Sequence, residues 1–243
     1  MQKLILLSCL FLFSYCNSST KPGEQLLEKT IAYHDPQNNW GKLKVHLYLS
    51  STDTAGKESP FELEMDNAKD YFCHISHTDG KEIIKGVSEG KEFFLLDGKK
   101  EISKEDREKY KLTPEKAKSA QQFYGYLYGL PMKLTDPGAN ISDTVSTQQL
   151  NGRSYQTIRV NFDPKVGTDI WTFYFNPTTS TMERYSFLFG GKTDAGEYIV
   201  LEQVLDVVGI KMPKVRKWYQ LKSNKYLGTD NLLKAEKLTA YRM

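Results

Sequence analysis

The residues of this chain that could carry out chemistry are few and scattered. There are four histidines, and the three cysteines are Cys9, Cys16 and Cys73. His34-Asp35 is the pair nearest to an acid–base couple. It stands directly before Pro36, where a short acid commonly caps a turn. His74 and His77 have a spacing used in some metal sites, but residues three apart on a strand point to opposite faces. They cannot share an ion without a bulge. Glu62 and Glu64 share one strand face, as paired carboxylates do, and Lys44 is placed to face them; solvated surface is the expectation. Cys73 lies in a strand-like stretch with no basic cluster around it, which suits a small core hydrophobe rather than a reactive thiol. The chain has no glycine-rich phosphate loop, no Gly-x-Ser-x-Gly elbow and no zinc-protease helix motif. The expectation is a non-enzymatic protein with no catalytic residues, no cofactor and no metal. A hydrolase centred on His34-Asp35 is the enzymatic alternative.

The clearest chemical feature is aromatic. Trp171, Phe173 and Phe175 alternate along one stretch, Tyr185, Phe187 and Phe189 along the next, and Ile158, Val160 and Phe162 precede them. With side chains alternating between faces, three neighbouring strands present one broad apolar face. Phe123, Tyr124, Tyr126, Leu127, Tyr128 and Leu130 cover most of the circumference of a helix, which suits an enclosed position. Two readings stand open. The face is a packed core, or it encloses a cavity for a small lipophilic ligand. On the second reading the lining residues are Tyr124, Tyr128, Trp171, Phe173, Phe175, Tyr185 and Phe187.

The elements that must position these residues follow from periodicity. Glu24 to Tyr33 carries a helical stripe of Leu26, Leu27 and Ile31 and stops before Asp35-Pro36. Leu43, Val45, Leu47 and Leu49 alternate with polar residues, as do Phe61, Leu63 and Met65; period two marks strands with one wet face. Asp79-Gly80 and Asp97-Gly98 are hairpin signals between strands near 70–77, 81–87 and 91–96. Ser103 opens a short helix. Thr113-Pro114-Glu115 opens a longer one with a hydroxyl cap, proline at the first helical position and an early acid. Gly125 and Gly129 on this helix suggest close approach of its backbone to the sheet. Further strands are expected near 144–150, 154–162, 169–176, 181–189, 197–207 and 210–221, and the tail after Thr229 reads as strand or helix. The fold class is mainly β (α+β): an antiparallel open half-barrel of about ten or eleven strands, with two or three helices and the aromatic-rich helix on its concave side.

The N-terminus points to export. One lysine and an apolar run from Leu4 to Phe13 fit a secretory signal. The run is too short to span a bilayer, which takes about 20 residues. Polar Asn17 to Gly23 follows as a flexible tether. Residues 1–16 thus read as a lipoprotein-type signal ending at the acyl acceptor Cys16, residues 17–23 as a tether, and residues 24–243 as one β-rich domain with a helical insertion near 103–130. Tyr15 stands where a small residue is expected, so ordinary signal-peptidase cleavage nearby remains open. Cys9 has a better local match but leaves too short an apolar core. Lys and Arg number 33 against 30 Asp and Glu, and no clustered basic face points to nucleic acid. Hydrophobic content of 39% is too high for a disordered chain.

Five stretches carry a family resemblance: Tyr33-His34-Asp35-Pro36 with Asn39-Trp40; Tyr126 to Leu134 with Asp136-Pro137-Gly138; Asp169, Trp171 and Phe173 to Pro177; Gly209 to Lys214 with Trp218-Tyr219; and Lys225 to Asp230. Together they resemble an uncharacterised family of Gram-negative envelope lipoproteins, a domain of unknown function. At fold level the chain resembles the outer-membrane lipoprotein carriers, the LolA/LolB-like half-barrels. The resemblance implies an envelope protein, lipid-anchored in the outer membrane and facing the periplasm, with a hydrophobic ligand such as a lipid or acyl chain. The alternative partner is an envelope protein bound by a structural or assembly subunit. Acylation at Cys16 is the first testable prediction. Metabolic labelling with a clickable fatty acid should mark the wild type and not Cys16→Ser; equal labelling of both would refute it.

Overall fold

A computed structural model describes residues 20–192 and 194–243. Cys16 and the signal segment lie outside the described residues. Strand-forming alternation produces thirteen antiparallel strands in one sheet: β1 Lys44–Thr52, β2 Glu58–Asp66, β3 Tyr71–Thr78, β4 Lys81–Ser88, β5 Lys91–Leu96, β6 Ala139–Ile141, β7 Ser146–Leu150, β8 Arg153–Phe162, β9 Ile170–Phe175, β10 Met182–Leu188, β11 Gly196–Val207, β12 Ile210–Gln220 and β13 Tyr226–Lys237. The helices are α1 Pro22–His34, α2 Lys104–Lys109 and α3 Pro114–Gly129. The strand order is β5-β4-β3-β2-β1-β13-β12-β11-β10-β9-β8-β6, with β7 also on β8. The sheet is therefore two meanders joined where the last strand pairs with the first, from Val45 opposite Lys237 to Thr52 opposite Thr229.

Local signals act as the sequence suggests. Ser103 Oγ accepts the Asp106 N–H at 3.0 Å and caps α2, and Thr113 Oγ1 accepts that of Lys116 at 3.4 Å at the start of α3. Asp79 and Gly80 both take positive φ, 55° and 73°, as the tight hairpin between β3 and β4 requires. Helix α1 starts at Pro22, two residues before the expected Glu24, with the proline in the first turn. Strands β6 and β13 bring the count above ten or eleven. β6 is a three-residue pairing of Ala139–Ile141 with β8, too short to show a period.

Apolar side chains gather on one face, here the inner face. Val45, Leu47, Leu63, Phe173, Phe175, Tyr185, Ile199 and Leu232 form its buried core, joined by Leu26 and Leu27 of α1 and Leu127 and Tyr128 of α3. A smaller core lies on the outer face. There the C-terminal segment returns, and Leu238 packs with Tyr71, Cys73, Ile75, Ile84 and Leu95. Arg242 pairs with Glu64 and with Glu82, each at 3.0 Å, and the Tyr241 hydroxyl donates to Asp66 at 2.6 Å. The expected solvated surface around Glu62 and Glu64 is thus only half right. Glu62 meets His46 at 2.6 Å, but the returning tail buries Glu64 to 2% exposure.

Two histidines are built into the core in neutral form. His34 is fully buried; its Nδ1 lies 2.6 Å from the Lys211 carbonyl and its Nε2 accepts the Met182 N–H at 3.1 Å. It ties α1 to β12 and β10. His74 stacks on Phe61 and Tyr124, each with ring centroids 5.5 Å away. Burial lowers both pKa values, that of His74 to about 4 with help from the Lys85 charge, against an ordinary 6.5. In the unfolded chain both gain a proton near 6.5. Stability from this source is therefore complete above that pH and is lost as the pH falls toward the folded value, by up to about 3 kcal/mol for His74. The melting temperature should drop between pH 6.5 and 5, and His74→Phe, which keeps the stack, should flatten that drop. A flat wild-type profile, or an unchanged slope in the variant, would contradict this.

Candidate ligand-binding face

Helix α3 crosses the inner face and places its aromatic residues against strands from both meanders. Tyr124 meets Phe61 at 5.4 Å and Phe72 at 6.4 Å; Tyr126 meets Trp171 at 5.4 Å and Phe162 at 6.2 Å. The wall read from the sequence is a contiguous cluster. Trp171 stacks on Phe187 at 4.5 Å and lies 5.7 Å from Tyr185 and 5.9 Å from Phe173. Its members differ in exposure. Tyr128, Phe173, Phe175 and Tyr185 are within 1% of full burial and Phe187 is 9% exposed, whereas Tyr124 and Trp171 are half-buried. The wall is thus packed at Tyr128, Phe173, Phe175 and Tyr185 and partly open at Tyr124 and Trp171.

The cavities lie along the flanks of α3. On one side a cavity of about 440 Å³ reaches Trp40, Met65 and Phe72. A second, of about 580 Å³, reaches Phe162, Trp171 and Asp169. The two share Gln122, Tyr126 and Lys133 as lining. On the other side a cavity of about 500 Å³ is bounded by Phe123, Tyr124, Trp218, Glu197 and Asp230. These volumes fall in the ordinary range for small-molecule sites, about 300–1,000 Å³. The glycine expectation divides here. A Cβ at Gly129 would stand 2.5 Å from the Trp40 ring, so the close approach is to a side chain rather than the sheet. Nothing lies within 4 Å of a Cβ at Gly125, which instead lines the first cavity.

Polar groups share the lining with the aromatic ones: Asn67, Asp70 and Gln121 in the first cavity, Asp136, Lys165 and Asp169 in the second, and Asp53, Glu197 and Asp230 in the third. The Trp218 indole N–H donates to Asp230 at 2.8 Å, and burial raises the pKa of Asp230 against the opposing effects of that bond and of Arg216. Burial also raises Glu197. The hydroxyls of Tyr126, Tyr128 and Tyr185 are buried without a partner. Sequence reasoning put Tyr126 on the aromatic helix and Phe162 in the apolar face but left both out of the lining, and it missed Arg216, Trp218 and Asp230. For Arg216 a signal existed: it shares the period-two positions of Ile210, Met212 and Trp218 on β12, which makes it an arginine on an inward face.

The other candidates lie elsewhere. Both nitrogens of His34 are committed to backbone groups, and the Asp35 carboxylate accepts the Asn39 and Trp40 N–H groups at 2.7 and 2.8 Å, capping the turn at Trp40–Lys42. His74 faces inward, while His77 is exposed opposite Glu82. Among the described residues no three His, Cys, Asp or Glu side chains gather as metal ligands, and no helix is long and apolar enough to cross a membrane. Cys73 is fully buried, and burial pushes its thiol pKa up.

Comparison with known proteins places this architecture. Among solved structures, a LolA superfamily protein from Nitrosomonas europaea superposes with a TM-score of 0.53 at 10% identity, covering 90% of this chain and 94% of that one. A domain from Vibrio parahaemolyticus described as an outer membrane lipoprotein-sorting protein gives 0.53 at 9% identity, covering 90% and 93%. At such identities the likeness is one of fold, and the fold is the LolA-like open half-barrel expected from the sequence. No curated protein sequence matches the chain. A family model described as a family of unknown function, DUF6503, matches residues 1–235. The chain belongs to that family.

Proposed function

We propose that this protein is an envelope lipoprotein, acylated at Cys16 and held at the outer membrane facing the periplasm, which carries a lipid or acyl chain along the inner face of its sheet without covalent chemistry. One observation supports this above the rest: the aromatic inner face is only partly filled by α3, leaving cavities along both helix flanks with Tyr124, Tyr126 and Trp171 at their walls. Apolar surface left open in this way gains about 25 cal/mol for each Å² that a ligand chain covers. The LolA-like fold is in keeping with this reading.

The inner face holds two classes of aromatic residue, partly exposed and fully buried. Trp171 lines a cavity, so Trp171→Phe should cost less than about 1.5 kcal/mol of stability while weakening binding of a fluorescent lipid probe several-fold. Phe173 is fully buried, and Phe173→Ala should cost about 3–5 kcal/mol, seen as a large fall in melting temperature. Thermal melts and probe titrations of the two variants make the check. A folded, delipidated wild type that binds no member of a lipid panel would defeat the carrier reading and transfer this face to a protein partner.

A further inference from the structure

The third cavity, of about 500 Å³, differs from the other two in charge. Its lining includes the carboxylates of Asp53, Glu197 and Asp230 and the rings of Phe123, Tyr124 and Trp218, and it contains no lysine, arginine or histidine. By contrast, Lys133 lines both of the other cavities and Lys165 lines the second. Strand register sets the floor of the third cavity. Trp218 of β12 stands opposite Ile199 of β11 and Gly228 of β13. Glu197 and Asp230 are each two residues from those positions, so they share the inner face with Trp218. Asp53 follows β1, whose last residue Thr52 pairs with Thr229.

The carboxylates are committed to different degrees. Asp53 accepts the N–H groups of Ala55 and Lys57 in the turn after β1, at 2.8 and 3.0 Å. Asp230 accepts the Trp218 indole N–H at 2.8 Å and senses the Arg216 charge. Glu197 has neither a hydrogen bond nor an ion pair among the described residues, and burial raises its pKa with no charged neighbour to oppose the shift. A carboxylate that loses water without gaining a cation is held at a cost in its charged form. The aromatic side of the cavity is open to solvent. Phe123 is 49% exposed, and its ring lies 5.0 Å from that of Tyr124 and 6.3 Å from that of Trp218. The face of an aromatic ring is negative and attracts a cation.

We infer that the cavity bounded by Phe123, Trp218 and Glu197 is a head-group subsite that takes an organic ammonium ion, the cationic end of an amphiphile. This assignment rests on the carrier reading for the rest of the ligand and adds the sign of its head-group charge. The rings cover the alkyl groups of the ammonium ion and draw its charge. Glu197 gains the counter-charge that it lacks. Asp230, oriented by the Trp218 indole, completes the negative wall. An anionic head group meets three carboxylates here and no cation.

The test uses the mature chain purified from the envelope of an expressing cell, stripped of lipid and kept in a non-ionic detergent. Calorimetric titration with octylammonium, octyltrimethylammonium, octanol and octanoate gives the affinities. The indole N–H resonances of the three tryptophans report the place, with Trp218→Phe to assign the one in this cavity. At least one ammonium compound should bind about tenfold or more tightly than octanol and shift the Trp218 resonance, with octanoate the weakest of the set. The better of the two ammonium compounds identifies the head as primary or quaternary. Glu197→Gln, at a partly exposed position, and Phe123→Leu, at an exposed one, should each fold and each narrow the preference several-fold. Equal affinity for ammonium and alcohol, tighter binding of octanoate than of ammonium, a preference that survives both substitutions, or ammonium binding that leaves the Trp218 resonance in place overturns the subsite while leaving the carrier reading intact. Failure of all these compounds to bind overturns both.

Discussion

A sheet with its apolar side chains on one face must cover that face, and the cover here is too small. Helix α3 has sixteen residues and is about 24 Å long and about 10 Å wide. The sheet path runs through twelve strands, roughly 50 Å at about 4.8 Å per step. One helix across the inner face, with α1 beside it, cannot fill such a trough. Where the sheet and the helices α1 and α3 close over one another the inner face becomes a dry core, and Phe173, Phe175 and Tyr185 have almost no exposure. Trp171 and Trp218 of the sheet, and Tyr124 of α3 itself, become cavity walls. The division between fully buried and partly exposed aromatics follows from this mismatch in size.

The outer face solves the same problem differently. The C-terminal segment covers the apolar patch around Cys73 and neutralises Glu64 with Arg242. Removing a partner from a buried charge costs far more than a surface pair contributes, so this clamp is a one-way commitment. Among the described residues Arg216 on the inner face has no carboxylate in direct contact, although Asp230 stands opposite it in the sheet and senses its charge. The same molecule therefore satisfies one buried charge with its own chain and leaves the other with backbone carbonyls and a ring face. That asymmetry sets the polar end of the inner face apart from its dry remainder.

Much of the fold was legible because its signals are local. Alternation at Leu43 to Leu49 and at Phe61 to Met65, the Asp-Gly turns and the Thr113-Pro114 cap each act within a few residues. What stayed hidden depends on distant parts of the chain. Strand β13 contains the polar run Thr229-Asp230-Asn231 and holds its place by pairing with β1 and β12, so no period in its own sequence marks it as central. The burial of Glu64 is caused by Arg242, far along the chain. The aromatic wall was readable from parity alone, but which of its members meet open space depends on where α3 crosses, and parity is blind to that. Arg216 puts a charge at an inward position of β12, a signal carried by one residue facing the wrong way rather than by a cluster in sequence.

The central claim is that the inner face holds a lipid. Native mass spectrometry of the mature protein, released gently from the envelope in which it was expressed, reads this most directly. The expected result is a population heavier than the bare acylated chain by the mass of one amphiphile, which is removed by organic extraction and reappears when lipid is returned. A single species at the mass of the acylated chain, unchanged after incubation with extracted envelope lipids, would contradict it.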